Sequence, residues 1–163
     1  MCYIFKENEI TPILAEEDIP VLKIGHLQDG NFISINRGAR YQFKQEYRIE
    51  EFWKHLRISP FEGEYMTGVG LYSIETESKA KEYLDDIIRF ARHPHTFRAR
   101  IFRAYIPKGS HYLKTDDGCY ISDGLVVINK TLDYYPKLCK EFLELNREKV
   151  RPYVPENILK GKE

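Results

Sequence analysis

Gly68 and Gly70 lie two apart in Tyr65-Met-Thr-Gly-Val-Gly-Leu-Tyr-Ser-Ile74, and Tyr72 follows two residues later. Glycine carries no side chain, so a flat ring can lie against the backbone where this pair stands. Tyr72 and Tyr83 are the aromatics best placed to hold such a ring, by stacking. A packing explanation stands beside this one. Glycine pairs in strands also mark bulges, and Tyr83 falls on the apolar stripe of a helix.

A second constellation is basic. Arg98 and Arg100 alternate with Phe97, Ala99 and Ile101, which places them on one face of an expected strand. Two guanidinium groups there can clamp a pyrophosphate by paired hydrogen bonds. They equally suit a solvated strand face that discourages edge pairing.

Other chemistries find less support. His93 and His95 flank Pro94, which hinders two imidazoles from converging on a metal, and His111 brings no acidic or thiol ligand with it. Cys119 follows Gly118 but has no base placed beside it. No Walker pattern or zinc-finger spacing occurs.

The elements that must position these groups read as β-β-β-β-α-β-α-β-β-α. Strands are expected at Cys2–Lys6, Val21–Leu27, Phe32–Asn36, Tyr41–Tyr47, Tyr65–Ile74, Phe97–Ile106 and Tyr120–Asn129, with turns at Gln28–Asn31 and Arg37–Gly38. Ile49, Phe52, Trp53 and Leu56 mark a short helix. Ala80, Tyr83, Leu84, Ile87, Ile88 and Ala91 make the cleanest helical stripe, over Thr76–Arg92, with Thr76 and Ser78 as alternative caps. Asp133 can cap a last helix carrying Leu138, Phe142 and Leu145. Few helical crossovers and many sequential strands favour an α+β domain with mainly antiparallel sheets. One domain is expected over 1–151, with a fraying tail at 152–163.

Composition narrows the field without choosing a function. The 25 basic and 25 acidic residues cancel, so bulk charge offers no support for a nucleic-acid or anionic-membrane partner. The 12 tyrosines and 9 phenylalanines suit a β-rich fold and ring-stacking sites. Three cysteines without a CxxC pair read as reduced thiols. The N-terminus lacks the pattern of a signal peptide, and no apolar run approaches the ~20 residues of a membrane span. The expected compartment is the cytoplasm.

Tyr65-Met66-x-Gly68-x-Gly70-Leu71-Tyr72, followed by Ser78-Lys79 and Tyr83, resembles the core signature of the poly-ADP-ribose polymerase and diphtheria-toxin branch of the ADP-ribosyltransferases. The resemblance covers about residues 20 to 129 and is thinnest in the first third. It implies a split antiparallel β-barrel of ADP-ribosyltransferase type with flanking helices, and NAD as the cofactor. Tyr72 and Tyr83, eleven residues apart, would sandwich nicotinamide. His26 would orient the adenosine ribose. Asp123, ahead of Gly124-Leu-Val-Val-Ile128, would stabilise the positive charge that develops on the ribose as nicotinamide leaves. Ile106-Pro-Lys-Gly-Ser110 resembles a turn of the bacterial toxin members, and the chain is also similar to small uncharacterised bacterial and phage proteins with that layout.

Three positions depart from the family. Leu27 replaces the glycine that follows the histidine, Ala80 replaces a carboxamide-binding serine, and Asp123 is one methylene shorter than the usual glutamate. Charge stabilisation depends on fine placement, so the shorter acid weighs against catalysis. The leading expectation is an ADP-ribosyltransferase-like protein that binds NAD or an ADP-ribose derivative and transfers ADP-ribose to a macromolecular target. The alternative is a non-enzymatic nucleotide-binding protein, sequestering or sensing, that uses the same pocket. A third is an interaction protein whose aromatics are all structural.

Overall fold

The computed structural model describes residues 3–6, 11–35, 38–50, 57–58, 64–67, 70–91, 94–115, 117–137 and 141. Short runs of alternating apolar residues make most of these into strands. The first seven are β1 (Tyr3–Lys6), β2 (Ile13–Leu14), β3 (Ile19–Gln28), β4 (Asn31–Ser34), β5 (Arg40–Tyr41), β6 (Glu46–Arg48) and β7 (Arg57–Ile58). Next come β8 (Glu64–Thr67), β9 (Leu71–Ile74) and the helix α1 (Glu77–Arg89). A 3-10 turn at Pro94–Arg98 leads to β10 (Arg100–Ile106), β11 (His111–Lys114), β12 (Cys119–Ser122) and β13 (Gly124–Thr131).

The fold is α+β, with antiparallel pairing throughout the described sheets. β1, β8 and β7 form a small sheet, and a ten-stranded sheet runs β2-β11-β12-β9-β3-β10-β13-β6, with β4 on β3 and β5 on β4. The larger sheet is not closed, because its end strands β2 and β6 do not pair with each other. Its weakest joint is internal. β9 meets β3 at one register position, Leu22 opposite Ile74.

The hairpin from β3 to β4 explains that joint. Asp29 and Gly30 both take positive φ, 52° and 78°, the geometry of a two-residue turn that matches strand twist. β4 then occupies β3 from Gly25 to Gln28, while β10 covers the opposite edge from Ile19 to Gly25. No edge of β3 remains for β9 beyond the Leu22 level, so the two strands part like a fork.

Both sheet faces are buried. Thr76 caps α1, its hydroxyl accepting from the Lys79 amide at 3.2 Å. The helix lays Ala80, Leu84 and Ile88 over Leu22, Ile24, Ile74 and Cys119. On the other face Phe32, Tyr41, Phe102, Leu125 and Val127 pack together, with Phe32 edge-on to Phe102 at 5.0 Å between centroids.

Several element boundaries differ from the periodicity. The glycine-rich stretch is two strands in two sheets, β8 and β9; Gly70, at φ 129°, lies where the chain crosses between them. Tyr41–Tyr47 is likewise divided, because Lys44 turns at φ 64° and donates its amide to the Val127 carbonyl at 2.9 Å. The strand expected from Phe97 starts at Arg100, and Tyr120–Asn129 breaks at Asp123, where β12 gives way to β13. Gly68, residues 51–56 of the expected short helix, Leu138, Phe142 and Leu145 of the expected last helix, and the tail lie outside the described residues. Among the described residues no helix is long and apolar enough to cross a membrane.

Candidate functional site

The fork between β3 and β9 organises the candidate site. Leaving the Leu22–Ile74 pair, β3 carries Lys23 and then His26, and β9 carries Ser73 and then Tyr72. Alternation puts His26 on the α1 face with Leu22 and Ile24, and Tyr72 on that face with Ile74.

Tyr72 and Tyr83 come from different elements and meet at one atom. The Tyr72 hydroxyl lies 3.1 Å from the Cys119 sulfur, and the thiol lies 3.6 Å from the Tyr83 hydroxyl. Tyr83 donates in turn to the Asp117 carbonyl at 2.9 Å. Helical spacing aims Tyr83 here, since it follows Ala80 by three residues on the packed side of α1. Gly118, with φ 82°, lets the turn pass under the Lys79 side chain, where a Cβ would stand 3.0 Å from Cγ. Burial pushes the Tyr83 phenol and the Cys119 thiol above their ordinary ranges, so both stay protonated at neutral pH. A planar ligand entering between the two rings would have to lie beside this sulfur or displace it.

Lys23 spans the fork from the opposite face. Its ammonium donates to the Tyr72 carbonyl and lies 5.5 Å from the centroids of both the Tyr41 and Tyr72 rings. Only 3% of the residue is exposed, and burial lowers its pKa to about 7. Its signal in the sequence is slight: a lone lysine at an inward position of an otherwise apolar strand.

Asp123 lies just beyond β12 and faces β11. Its carboxylate accepts the His111 amide at 2.8 Å, and its second oxygen is 3.4 Å from His111 Nδ1. This acid therefore braces the β11–β12 end of the sheet. Gly124 follows because nothing larger fits: a Cβ there would stand 2.3 Å from Ser110 Oγ, which Arg48 holds at 2.9 Å.

His26 is buried, as is Ser34 on β4, and both line a cavity of about 490 Å³ that Arg98 also borders. Arg98 and Arg100 do not share a strand face. Arg98 ends the 3-10 turn and donates to the Leu27 carbonyl at 2.6 Å. Arg100 is buried on β10, bonded to the Ala99 carbonyl at 3.0 Å and lying over the Tyr135 ring at 4.6 Å. Ala80 is fully buried in the helix–sheet core, and Leu27 is exposed. Among the described residues no group of three potential metal ligands occurs. No family model, curated protein or solved structure matches the chain.

Proposed function

We propose that this chain is a cytoplasmic, ADP-ribosyltransferase-like domain of the split-barrel type that binds NAD or an ADP-ribose derivative along the fork. The convergence of Tyr72 and Tyr83 on the Cys119 sulfur carries the reading, because two phenols on separate elements are aimed at one place. Nicotinamide would lie against these rings, and the adenosine end would run toward His26 and Arg98, whose cavity lies on the β3 limb. Gly70 gives the backbone before Tyr72 its open conformation. In the catalytic form, the bond between ribose and nicotinamide breaks, nicotinamide leaves with the bonding pair, and a nucleophile of a protein target attacks the ribose carbon.

One observation favours the binder over the transferase. Both Asp123 oxygens face His111, so the acid that would stabilise the ribose cation is already engaged. Sequestering or sensing the nucleotide needs no such acid.

Incubation with labelled NAD separates the two forms. Transfer or nicotinamide release means an enzyme, and protection without turnover means a binder. Binding itself is read by thermal shift. Ligand at about a hundred times its dissociation constant adds ~2.7 kcal/mol. That corresponds to about 5–10 °C at ~2–4 °C per kcal/mol. Tyr72→Ala should remove the shift and leave the far-ultraviolet circular dichroism unchanged. No shift with NAD or ADP-ribose overturns the proposal.

A further inference from the structure

The cavity on the β3–β4 hairpin has a chemistry of its own. Its polar side chains are His26, Gln28 and Arg98, with Ile33 and Ile35 beside them, and no carboxylate borders it among the described residues. Ser34, which also borders it, pairs with Gly25 and turns its side chain to the opposite face of the hairpin. His26 is only 9% exposed, so the imidazole is built into the fold. Arg98 Nη2 is fixed on the Leu27 carbonyl at 2.6 Å, which immobilises the guanidinium while its other N–H donors make no hydrogen bond to a described residue. Arg98 makes no ion pair with a described acid either.

A fixed guanidinium, an imidazole and a carboxamide without a carboxylate select against cations and for a compact, multiply charged oxyanion. A volume near 490 Å³ exceeds what a bare anion fills and lies in the range of small-ligand sites. The two isoleucines supply an apolar wall for the rest of the ligand. We propose that this cavity is a phosphate-monoester site, taking the terminal phosphate of a sugar phosphate or nucleoside monophosphate on Arg98, His26 and Gln28. The inference concerns the cavity into which the proposed function runs the adenosine end of NAD, and it does not require the tyrosine slot.

Calorimetric titration of the full chain with inorganic phosphate, ribose 5-phosphate, adenosine 5′-monophosphate and adenosine tests it. The phosphorylated ribose or nucleotide should bind at least about tenfold more tightly than adenosine. Equal affinity for the two phosphate esters identifies the sugar phosphate as the recognised unit; tighter binding of the nucleotide adds the base. Arg98→Gln should weaken both esters about tenfold or more, corresponding to at least ~1.4 kcal/mol. His26→Gln gives a second reading should loss of the Leu27 contact disturb the fold. Lys114→Gln, on β11 and outside the cavity, should leave both affinities unchanged. Adenosine binding as tightly as its monophosphate, unchanged affinity in both cavity variants, or no binding of either ester overturns the inference. Tyr72→Ala keeps this test apart from the NAD reading: it should abolish NAD binding and spare the monophosphate.

Discussion

Leu22 and Ile74 form the single cross-strand pair that joins β3 to β9, and His26 and Tyr72 lie beyond it on diverging limbs. Ile74 is fully buried there, under Ala80 and Leu84 of α1. Truncation therefore removes core volume and the side-chain contact at the joint together. Ile74→Ala is expected to cost about 2–5 kcal/mol and Ile74→Val about 1 kcal/mol, read from urea midpoints. A loss below ~1 kcal/mol for the alanine variant would show that the limbs are held together elsewhere.

Cys119 controls the space between the two tyrosines. Its sulfur stands between their hydroxyls and stays protonated because burial raises the thiol pKa. Cys119→Ala should lower stability by about 1 kcal/mol, through lost contacts and two weakened hydrogen bonds. Under the proposed function the same change widens the slot, so NAD should bind several-fold more tightly. Weaker NAD binding in a folded Cys119→Ala protein would mean that the thiol supports the ligand instead of obstructing it.

Lys23 makes stability rise with pH, the same sign as a carboxylate of depressed pKa but in an alkaline window. Burial depresses its pKa from 10.5 to about 7, so between those values the unfolded chain binds more protons than the folded one. Stability should rise with pH from 7 upward, by up to roughly 5 kcal/mol over the whole interval at ~1.4 kcal/mol per unit. Below pH 7 both states are charged and this dependence vanishes. Tyr41, Tyr83 and Tyr120 have phenols raised by burial, which reverses the trend near pH 10, where unfolded phenols ionise first. Cys119, whose thiol is likewise raised by burial from 9.0, begins the same reversal earlier, so the useful window is pH 7 to about 8.5. Lys23→Met should flatten it and be the more stable protein at pH 6.5. At pH 8.5 it should be the less stable, since the Tyr72 carbonyl loses its donor. Parallel wild-type and variant curves would place the pH dependence elsewhere.

What the sequence revealed follows the range of the forces involved. The cap at Thr76, the stripe Ala80-Leu84-Ile88 and the Asp29-Gly30 turn are local, so their residues announced them. Strand partners are set by long-range packing, which periodicity does not encode. The glycine stretch therefore read as one strand although it serves two sheets, and Phe97 to Ala99 alternated like a strand while forming the end of a tight turn. The same limit applies to the site. Tyr72 and Tyr83 were legible by spacing, whereas Cys119 between them depends on β12 pairing with β9. The role of Lys23 depends on β4 taking the edge of β3, and the bracing of Asp123 by His111 on β11 meeting β12.

Gly25 is the position where the hairpin and its cavity are most exposed to a single methyl group. It pairs with Ser34 on β4, and a Cβ there would stand 2.3 Å from the Ile33 carbonyl and 2.4 Å from the Phe32 ring. Neither neighbour can yield easily: one is backbone, and Phe32 is fully buried edge-on against Phe102. Overpacking of this kind costs ~1–3 kcal/mol where side chains can adjust, and more where backbone is struck. Gly25→Ala is therefore expected to lose at least about 3 kcal/mol and to lower monophosphate affinity, because Ile33 on β4 and Ile35 just after it move away from His26. Phe32→Leu relieves the ring contact but leaves the carbonyl contact, so the double variant should recover only part of the loss. Full recovery would assign the clash to the ring alone, and a Gly25→Ala protein as stable as wild type would show that β4 is free to move away from β3.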